Sequence, residues 1–185
     1  PKPSSAASDV YKRQISDTKV SNDLILSKPD IIFHLAAIVS GQAEQEFDLG
    51  WNINTKGSWG LFEAIRSQGD SYCPRVVFTS SIAVFGSPFP DLIPDDFFTT
   101  PLTSYGAQKA ISELLLADYS RKGMVDGISI RLPTICVRPG KPNLAASGFF
   151  SGIIREPLNG QEAILPVDTN VRPVSYTHLT LPTKA

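Results

Sequence analysis

The sequence predicts an α/β fold built on a doubly wound parallel sheet, and two observations carry that prediction. Short continuous apolar runs alternate along the chain with longer segments in which apolar residues recur at helical spacing. The apolar runs also end in small or hydroxyl-bearing residues, as strands do when their carboxyl ends form a binding site. Helices join strands of this kind, so we expect helices on both faces of the sheet.

The first predicted strand follows a short helix. The helix is predicted for residues 20–27 and is ended by Pro29. Residues 31–37 (IIFHLAA) then form an apolar run, which predicts a strand buried on both faces. A long helical segment is predicted for residues 43–67, where five residues recur at helical spacing: Asn54, Gly57, Leu61, Ala64 and Ile65.

The second predicted strand leads into a long loop. Residues 75–81 (RVVFTSS) form an apolar run that ends in hydroxyl residues. Residues 85–101 contain four prolines and no periodic pattern, which predicts a loop. A loop of this length is longer than a compact domain needs as a connector, so we expect it to serve a function.

The last predicted elements are a helix, a strand and a second helix. Thr103 or Ser104 can cap a helix that we expect to run to about Arg121. Residues 127–132 predict a third strand. The segment from residue 139 onward is rich in Gly, Pro and Asn, with one helix predicted at residues 149–158.

This order of elements predicts right-handed βαβ units and therefore a Rossmann-like sheet. Ligands in such sheets bind beyond the carboxyl ends of the strands. We therefore expect residues 34–37, 80–81 and 132–134 to converge on one site.

The composition excludes several classes of function. With 17 basic and 18 acidic residues, the net charge of −1 gives no general attraction to nucleic acid or to anionic lipid. No apolar run approaches the ~18 residues that span a membrane, and no secretory signal is apparent, so we expect a cytoplasmic protein. The Cys and His residues form no metal-binding pattern, so we expect no metal. The sequence allows either free thiols or one disulfide between Cys73 and Cys136.

The pair Tyr105 and Lys109 can carry acid–base chemistry. Their spacing of four places both on one face of the predicted helix. A free tyrosine has a pKa near ~10, and a neighbouring ammonium, together with an oxidised nicotinamide, would lower it. Ser81, at the end of the second strand, can hydrogen-bond a reacting oxygen. Alone, each of these residues is equally typical of a solvated helix face or a turn.

Together with other motifs they resemble a known family. The motifs occur in the order DIIFHLAA (30–37), Asn54-x-x-Gly57, SSIAVFG (80–86), Tyr105-x-x-x-Lys109 and RLP (131–133). Their spacing resembles that of the extended short-chain dehydrogenases, which include UDP-sugar epimerases and sugar-nucleotide dehydratases. The resemblance implies that Ser81, five residues before Gly86, is the catalytic serine. It also implies that Tyr105 is the proton acceptor, that Lys109 is its partner and that Asn54 completes a proton relay.

The resemblance also implies NAD as the cofactor. The small residues Ala36 and Ala37 would let the strand approach the cofactor, Pro133 would meet the nicotinamide carboxamide, and Tyr105 and Lys109 would contact the adjoining ribose. The glycine-rich turn that binds the pyrophosphate is absent from the sequence before residue 14. Asp17 is the acid left for the adenosine ribose.

The two terminal segments differ from the rest. Residues 1–13 lack apolar periodicity and residues 173–185 match nothing before them. We interpret them as non-native tails, with ordinary flexible tails as the alternative, and expect a native stretch that is truncated at both ends. It would hold a partial NAD-binding domain (14–138) and a partial, small substrate-binding region (139–172). We expect the chain as given to be catalytically inactive.

A narrower resemblance concerns the substrate. Residues 36–41, 131–143 and 147–158 are similar to those of NAD-dependent sugar-acid dehydrogenases that oxidise a 2-hydroxyl. The implied reaction converts D-erythronate to 2-dehydro-D-erythronate. Thr134 and Ser81 would then contact the substrate, and Arg138 or Arg155 would pair with its carboxylate or form surface ion pairs instead. The alternatives are a sugar-nucleotide epimerase or dehydratase and a non-catalytic cofactor sensor; the resemblance also allows a homodimer.

Overall fold

The computed structural model describes residues 14–94, 96–135 and 144–171, together with the backbone of residues 175–176. The helices are α1 (Thr18–Leu26), α2 (Ser40–Gln45), α3 (Phe47–Gly50), a π-helical segment (Trp51–Lys56), α4 (Gly57–Arg66), a 3-10 helix (Ile82–Val84), α5 (Ser104–Arg121) and α6 (Phe149–Leu158). The strands are β1 (Ile31–His34), β2 (Arg75–Ser81), β3 (Asp126–Leu132), β4 (Thr134–Ile135) and β5 (Ser175–Tyr176).

The main sheet has the predicted parallel arrangement. In the described part of the chain it has three strands in the order β1-β2-β3, and both neighbouring pairs are parallel. Ser81, the last residue of β2, is opposite Leu132, the last residue of β3. The two strands therefore end at the same edge. A separate two-stranded parallel pair, β4 and β5, lies beyond it.

One face of the sheet carries the core. Ile32, Val76 and Phe78 from the strands pack with Phe62 of α4 and Leu116 of α5, all at least nine-tenths buried. The opposite face is open among the described residues, where Ile31, Phe33 and Ile128 stay half exposed or more. The expected helices on both faces are thus seen on one face in this part of the chain.

β1 is shorter than its apolar run predicts. It ends at His34 rather than at Ala37. Four residues further on, the backbone of Ile38 donates to the side chain of Asn54 at 2.9 Å. A side chain 16 positions away thus holds the backbone of the loop that follows β1.

The segment predicted as one long helix is divided into four pieces. The chain departs from helical geometry at Glu46, and Trp51–Lys56 then form a π-helical turn. Within that turn the Asn54 carbonyl accepts a hydrogen bond from the Ser58 hydroxyl at 2.6 Å. The Ser112 hydroxyl of α5 lies 3.2 Å from the same oxygen, but its shorter hydrogen bond, at 2.9 Å, goes to the Gln108 carbonyl. The Ser58 hydroxyl therefore satisfies this carbonyl inside the wider turn, and Ser112 packs against it.

Helix α5 begins where the sequence predicts. Thr103 is its N-cap, and the Thr103 hydroxyl accepts from the Gly106 N–H at 3.1 Å. Gly106 also allows a close approach, because a Cβ there would lie 2.1 Å from the Ala83 carbonyl oxygen. The start of α5 is consequently held against the 3-10 helix that follows β2, which brings Tyr105 near Ser81.

Candidate active site

The three predicted strand ends converge on one pocket. Its volume is about 530 Å³, and it opens beyond the carboxyl ends of β1, β2 and β3. The lining comprises the loop after β1 (Leu35, Ala37, Ile38, Val39, Ser40), the end of β2 and the turn after it (Thr79–Ala83), Thr103, Tyr105, Lys109, the segment after β3 (Leu132–Ile135) and Ala145–Ser147. Of the predicted catalytic residues, Ser81, Tyr105 and Lys109 all line it.

Ser81 and Tyr105 are direct partners. The Ser81 hydroxyl accepts from the Ala83 N–H at 3.1 Å, which fixes the side chain at the end of β2. Burial raises the pKa of Tyr105, and its hydrogen bond with Ser81 partly opposes that rise. The neighbouring Ser80 hydroxyl is buried without a hydrogen-bond partner among the described residues. Ser81 is therefore the serine that engages Tyr105.

The rise in the Tyr105 pKa differs from the lowering that the sequence predicts. Lys109 lies 5.7 Å from the Tyr105 ring centroid, and its ammonium instead donates to the Thr79 carbonyl at 2.7 Å. Burial of the phenol is the larger influence in this geometry. The predicted lowering included the positive charge of an oxidised nicotinamide.

Lys109 is a buried cation with few compensating charges. It is 2% exposed, and its ammonium lies 4.7 Å from the Phe78 ring centroid. Burial lowers its pKa from 10.5 to about 8, and the Glu113 carboxylate one turn further along α5 opposes that shift. Glu113 in turn accepts from Arg131 of β3, with the closest contact at 2.8 Å. Arg131 thus holds the acidic neighbour of Lys109.

Asn54 does not line the pocket but connects two of its sides. Its side-chain carbonyl accepts from Ile38 N–H, and its amide donates to the Gln108 side chain at 2.8 Å. Ile38 belongs to the loop after β1, and Gln108 directly precedes Lys109 on α5. Both Asn54 and Gln108 are 1% exposed. The Gln108 amide nitrogen has no further partner among the described residues.

Asn54 belongs to a buried polar cluster with His34, Ser58 and Gln108, and the sequence analysis did not predict these three neighbours. His34 donates through Nε2 to the Ser58 hydroxyl at 2.8 Å, because that hydroxyl already donates to the Asn54 carbonyl. Burial, and then the charge of Lys109, lower the pKa of His34 to about 4. Helical spacing was the available signal, since Ser58 stands four residues after Asn54.

The pocket fits the nicotinamide end of the predicted cofactor. Ala37 leaves space beside β1, Pro133 and Thr134 lie after β3, and the donors Lys109 and Tyr105 match ribose hydroxyls in chemistry. Ala36 is exposed and is not among the lining residues. Asp17 caps α1 by accepting from the Lys19 N–H at 2.9 Å and does not line the pocket.

The two predicted carboxylate-binding arginines are not brought into the described pocket. Arg138 lies outside the described residues. Arg155, on α6, forms an ion pair with Glu156 and is not among the lining residues. Within the described ranges, no group of acidic, His and Cys side chains could hold a metal ion. None of the helices in those ranges is long and apolar enough to cross a membrane.

A parallel sheet with a pocket at its strand ends, lined by Ser81 of β2 and by Tyr105 and Lys109 of α5, is the arrangement that the resemblance to the extended short-chain dehydrogenases predicts. The model of the NAD dependent epimerase/dehydratase family matches residues 2–177. The chain belongs to that family, whose cofactor is NAD.

Two curated relatives share a name. The D-erythronate dehydrogenase of Cupriavidus necator is 56% identical over 158 residues, 85% of this chain and 48% of that protein. The D-erythronate dehydrogenase of Haemophilus influenzae is 52% identical over 151 residues, 82% of this chain and 47% of that protein. The chain spans about half the length of these relatives.

Solved structures show the same fold under other names. A nucleoside-diphosphate-sugar epimerase from Agrobacterium tumefaciens is 64% identical with a TM-score of 0.82, covering 88% of this chain and 48% of that one. L-threonine 3-dehydrogenase from Trypanosoma brucei is 30% identical with a TM-score of 0.74, covering 84% of this chain and 48% of that one.

Proposed function

We propose that this sequence belongs to an enzyme that oxidises the 2-hydroxyl of D-erythronate to 2-dehydro-D-erythronate with NAD. The observation that carries the proposed chemistry is the placement of Ser81, Tyr105 and Lys109 in one pocket at the strand ends. The names of the two curated relatives support the substrate. A soluble sugar acid is the partner molecule, and a homodimer stays a prediction.

In the proposed reaction, Ser81 and Tyr105 hold the 2-hydroxyl oxygen between them. The O–H proton passes to the Tyr105 phenolate oxygen as the C2–H bond breaks, and a C2=O bond forms. Bound NAD supplies the acceptor for the hydride. Because burial raises the pKa of Tyr105, the phenolate needs a positive charge nearby, and Lys109, whose ammonium lies 5.7 Å from the Tyr105 ring centroid, can supply it.

The other site residues support this arrangement. Lys109 would hold the ribose hydroxyls of bound NAD, and Ala37, Pro133 and Thr134 would border the cofactor and the substrate. In our proposal Asn54 positions Lys109 indirectly. Its side chain accepts from Ile38 in the loop after β1 and donates to Gln108 of α5, and so holds the loop and the helix together. Its part in a proton relay stays a prediction.

The main alternative is a sugar-nucleotide epimerase of the same fold, favoured by the name of the Agrobacterium tumefaciens structure. A non-catalytic cofactor sensor is the second alternative. It would not need a buried lysine beside a hydrogen-bonded serine and tyrosine, since each buried polar group destabilises the fold. The three residues together therefore favour an enzyme.

A substrate panel separates the candidates. The assays use this sequence extended to the length of the curated relatives, with the segments that the Cupriavidus necator protein has and this chain lacks; we call it the full-length enzyme. NADH formation is expected with D-erythronate and not with UDP-glucose or UDP-galactose. Epimerisation of a UDP-sugar that is faster than oxidation of every sugar acid would favour the alternative instead.

A further inference from the structure

One wall of the pocket comes from the segment that follows the undescribed residues 136–143. Ala145, Ala146 and Ser147 line the pocket together with Tyr105 and Thr134. The wall therefore borders the same pocket as Tyr105 and Thr134, which we propose to contact the substrate. Its position sets how much space remains there.

The wall is seated on the first two residues of α2. The Ala146 N–H donates to the Ser40 hydroxyl at 2.9 Å. Gly41 meets Leu144 so closely that a Cβ on Gly41 would lie 2.1 Å from the Leu144 carbonyl oxygen and 3.2 Å from its carbon. Only glycine permits this approach, because the atom in the way is backbone and cannot rotate aside.

The glycine is unfavourable for the helix that contains it. Gly41 is the second residue of α2, where alanine would form the helix more readily. Local structure thus does not explain the glycine, whereas the contact with Leu144 does. Ser40 and the loop before it also line the pocket. The seat, by which we mean Ser40 and Gly41, therefore joins this loop to the wall formed by residues 145–147.

We propose that Ser40 and Gly41 determine substrate size by holding residues 144–147 against the pocket. This inference rests on the proposed function, because the wall would restrict the pocket to a short sugar acid beside the nicotinamide. A displaced wall would open space for longer substrates and would loosen the contacts with a four-carbon acid. Gly41 then acts on specificity through the wall alone, whereas Ser40 both holds the wall and lines the pocket itself.

The test is Gly41→Ala in the full-length enzyme, with Gly60→Ala as its matched control. Gly60 is a helical glycine of α4, and a Cβ added to it would meet nothing within 4 Å, so its replacement leaves contacts intact. Gly41→Ala is expected to raise KM for D-erythronate about tenfold, while the Kd for NADH changes less than about twofold. The ratio of kcat/KM for D-erythronate to that for five- and six-carbon sugar acids should fall. Gly60→Ala should match the wild type in all three quantities.

A second variant keeps the inference testable if Gly41→Ala does not fold. Ser40→Ala removes one hydrogen bond and introduces no clash, and it should shift the same ratio in the same direction by a smaller factor. If the wild-type enzyme oxidises D-erythronate but both variants keep its preference for chain length, the proposed role of Ser40 and Gly41 is wrong and the proposed function stands. If the wild type oxidises no sugar acid, the proposed function is wrong and the inference falls with it.

Discussion

Replacing Tyr105 with phenylalanine is expected to lower kcat for D-erythronate at least ~10²-fold, the usual effect of losing an acid–base group. Phenylalanine fills the same space between Ser81 and Lys109 but cannot accept the substrate proton. Affinity for NADH should change little, since Lys109 and the loop after β1 remain. Stopped-flow single turnovers and a fluorescence titration with NADH measure the two quantities.

The matched control is Tyr72→Phe. The Tyr72 hydroxyl donates to the Pro29 carbonyl at 2.8 Å, away from the pocket. Its loss should lower the free energy of unfolding by ~1 kcal/mol and leave kcat unchanged. A Tyr105→Phe enzyme that turns over like the control would remove Tyr105 from the proposed reaction.

Lys109→Met is expected to abolish turnover and at the same time to stabilise the fold. Burial lowers the pKa of Lys109 from 10.5 to about 8, so the charged form is disfavoured in the folded state. The shift corresponds to roughly 3 kcal/mol, and loss of the hydrogen bond to Thr79 offsets ~1 kcal/mol of the gain. Methionine is similar in length and carries no charge, and urea denaturation at pH 7 measures the difference.

The pH dependence gives a second measure of the same effect. Between about pH 8 and 10.5 the unfolded chain binds a proton at this lysine that the folded chain does not. Lys109 should therefore add stability to the wild type as the pH rises through that window, and its destabilising effect should be complete below the window. The raised pKa of Tyr105 acts in the opposite direction at the upper end. Lys109→Met should lack this slope, whereas the exposed control Lys122→Met should retain it. A Lys109→Met protein that is less stable than wild type at pH 7 would contradict the burial argument.

Local patterns in the sequence predict the elements that end at clear signals. β2 occupies residues 75–81 and α6 occupies residues 149–158, both as predicted. Helix α5 begins at its capping threonine. In these places an apolar run, a cap or a break in period coincides with the physical end of the element.

Long-range contacts explain what the sequence does not predict. The π-helical turn around Asn54 packs against the Ser112 hydroxyl, which lies 3.2 Å from the Asn54 carbonyl oxygen and is 58 positions away. The buried amide of Gln108 depends on Asn54 in the same way. Such contacts leave no periodic trace, because the partners come together only after the sheet and α5 have packed.

The candidate site, like the fold, was predictable where a local motif marks it and not where it depends on long-range contacts. The motif around Tyr105 and Lys109, with Ser81 before it, was sufficient to indicate one pocket, and the structure brings these residues together. The seat formed by Ser40 and Gly41 was not predictable, since a single glycine in a short helix carries no signal without its neighbour Leu144.

Transfer of the C2 hydrogen is the measurement that tests the central claim most directly. The full-length enzyme would be supplied with NAD and D-erythronate that carries deuterium at C2, and the reduced cofactor would be analysed by mass spectrometry. Our account predicts singly deuterated NADH together with unlabelled 2-dehydro-D-erythronate, and unlabelled NADH when the deuterium is placed at C3. Deuterium transferred from C3, or no reduced cofactor from either substrate, would contradict it.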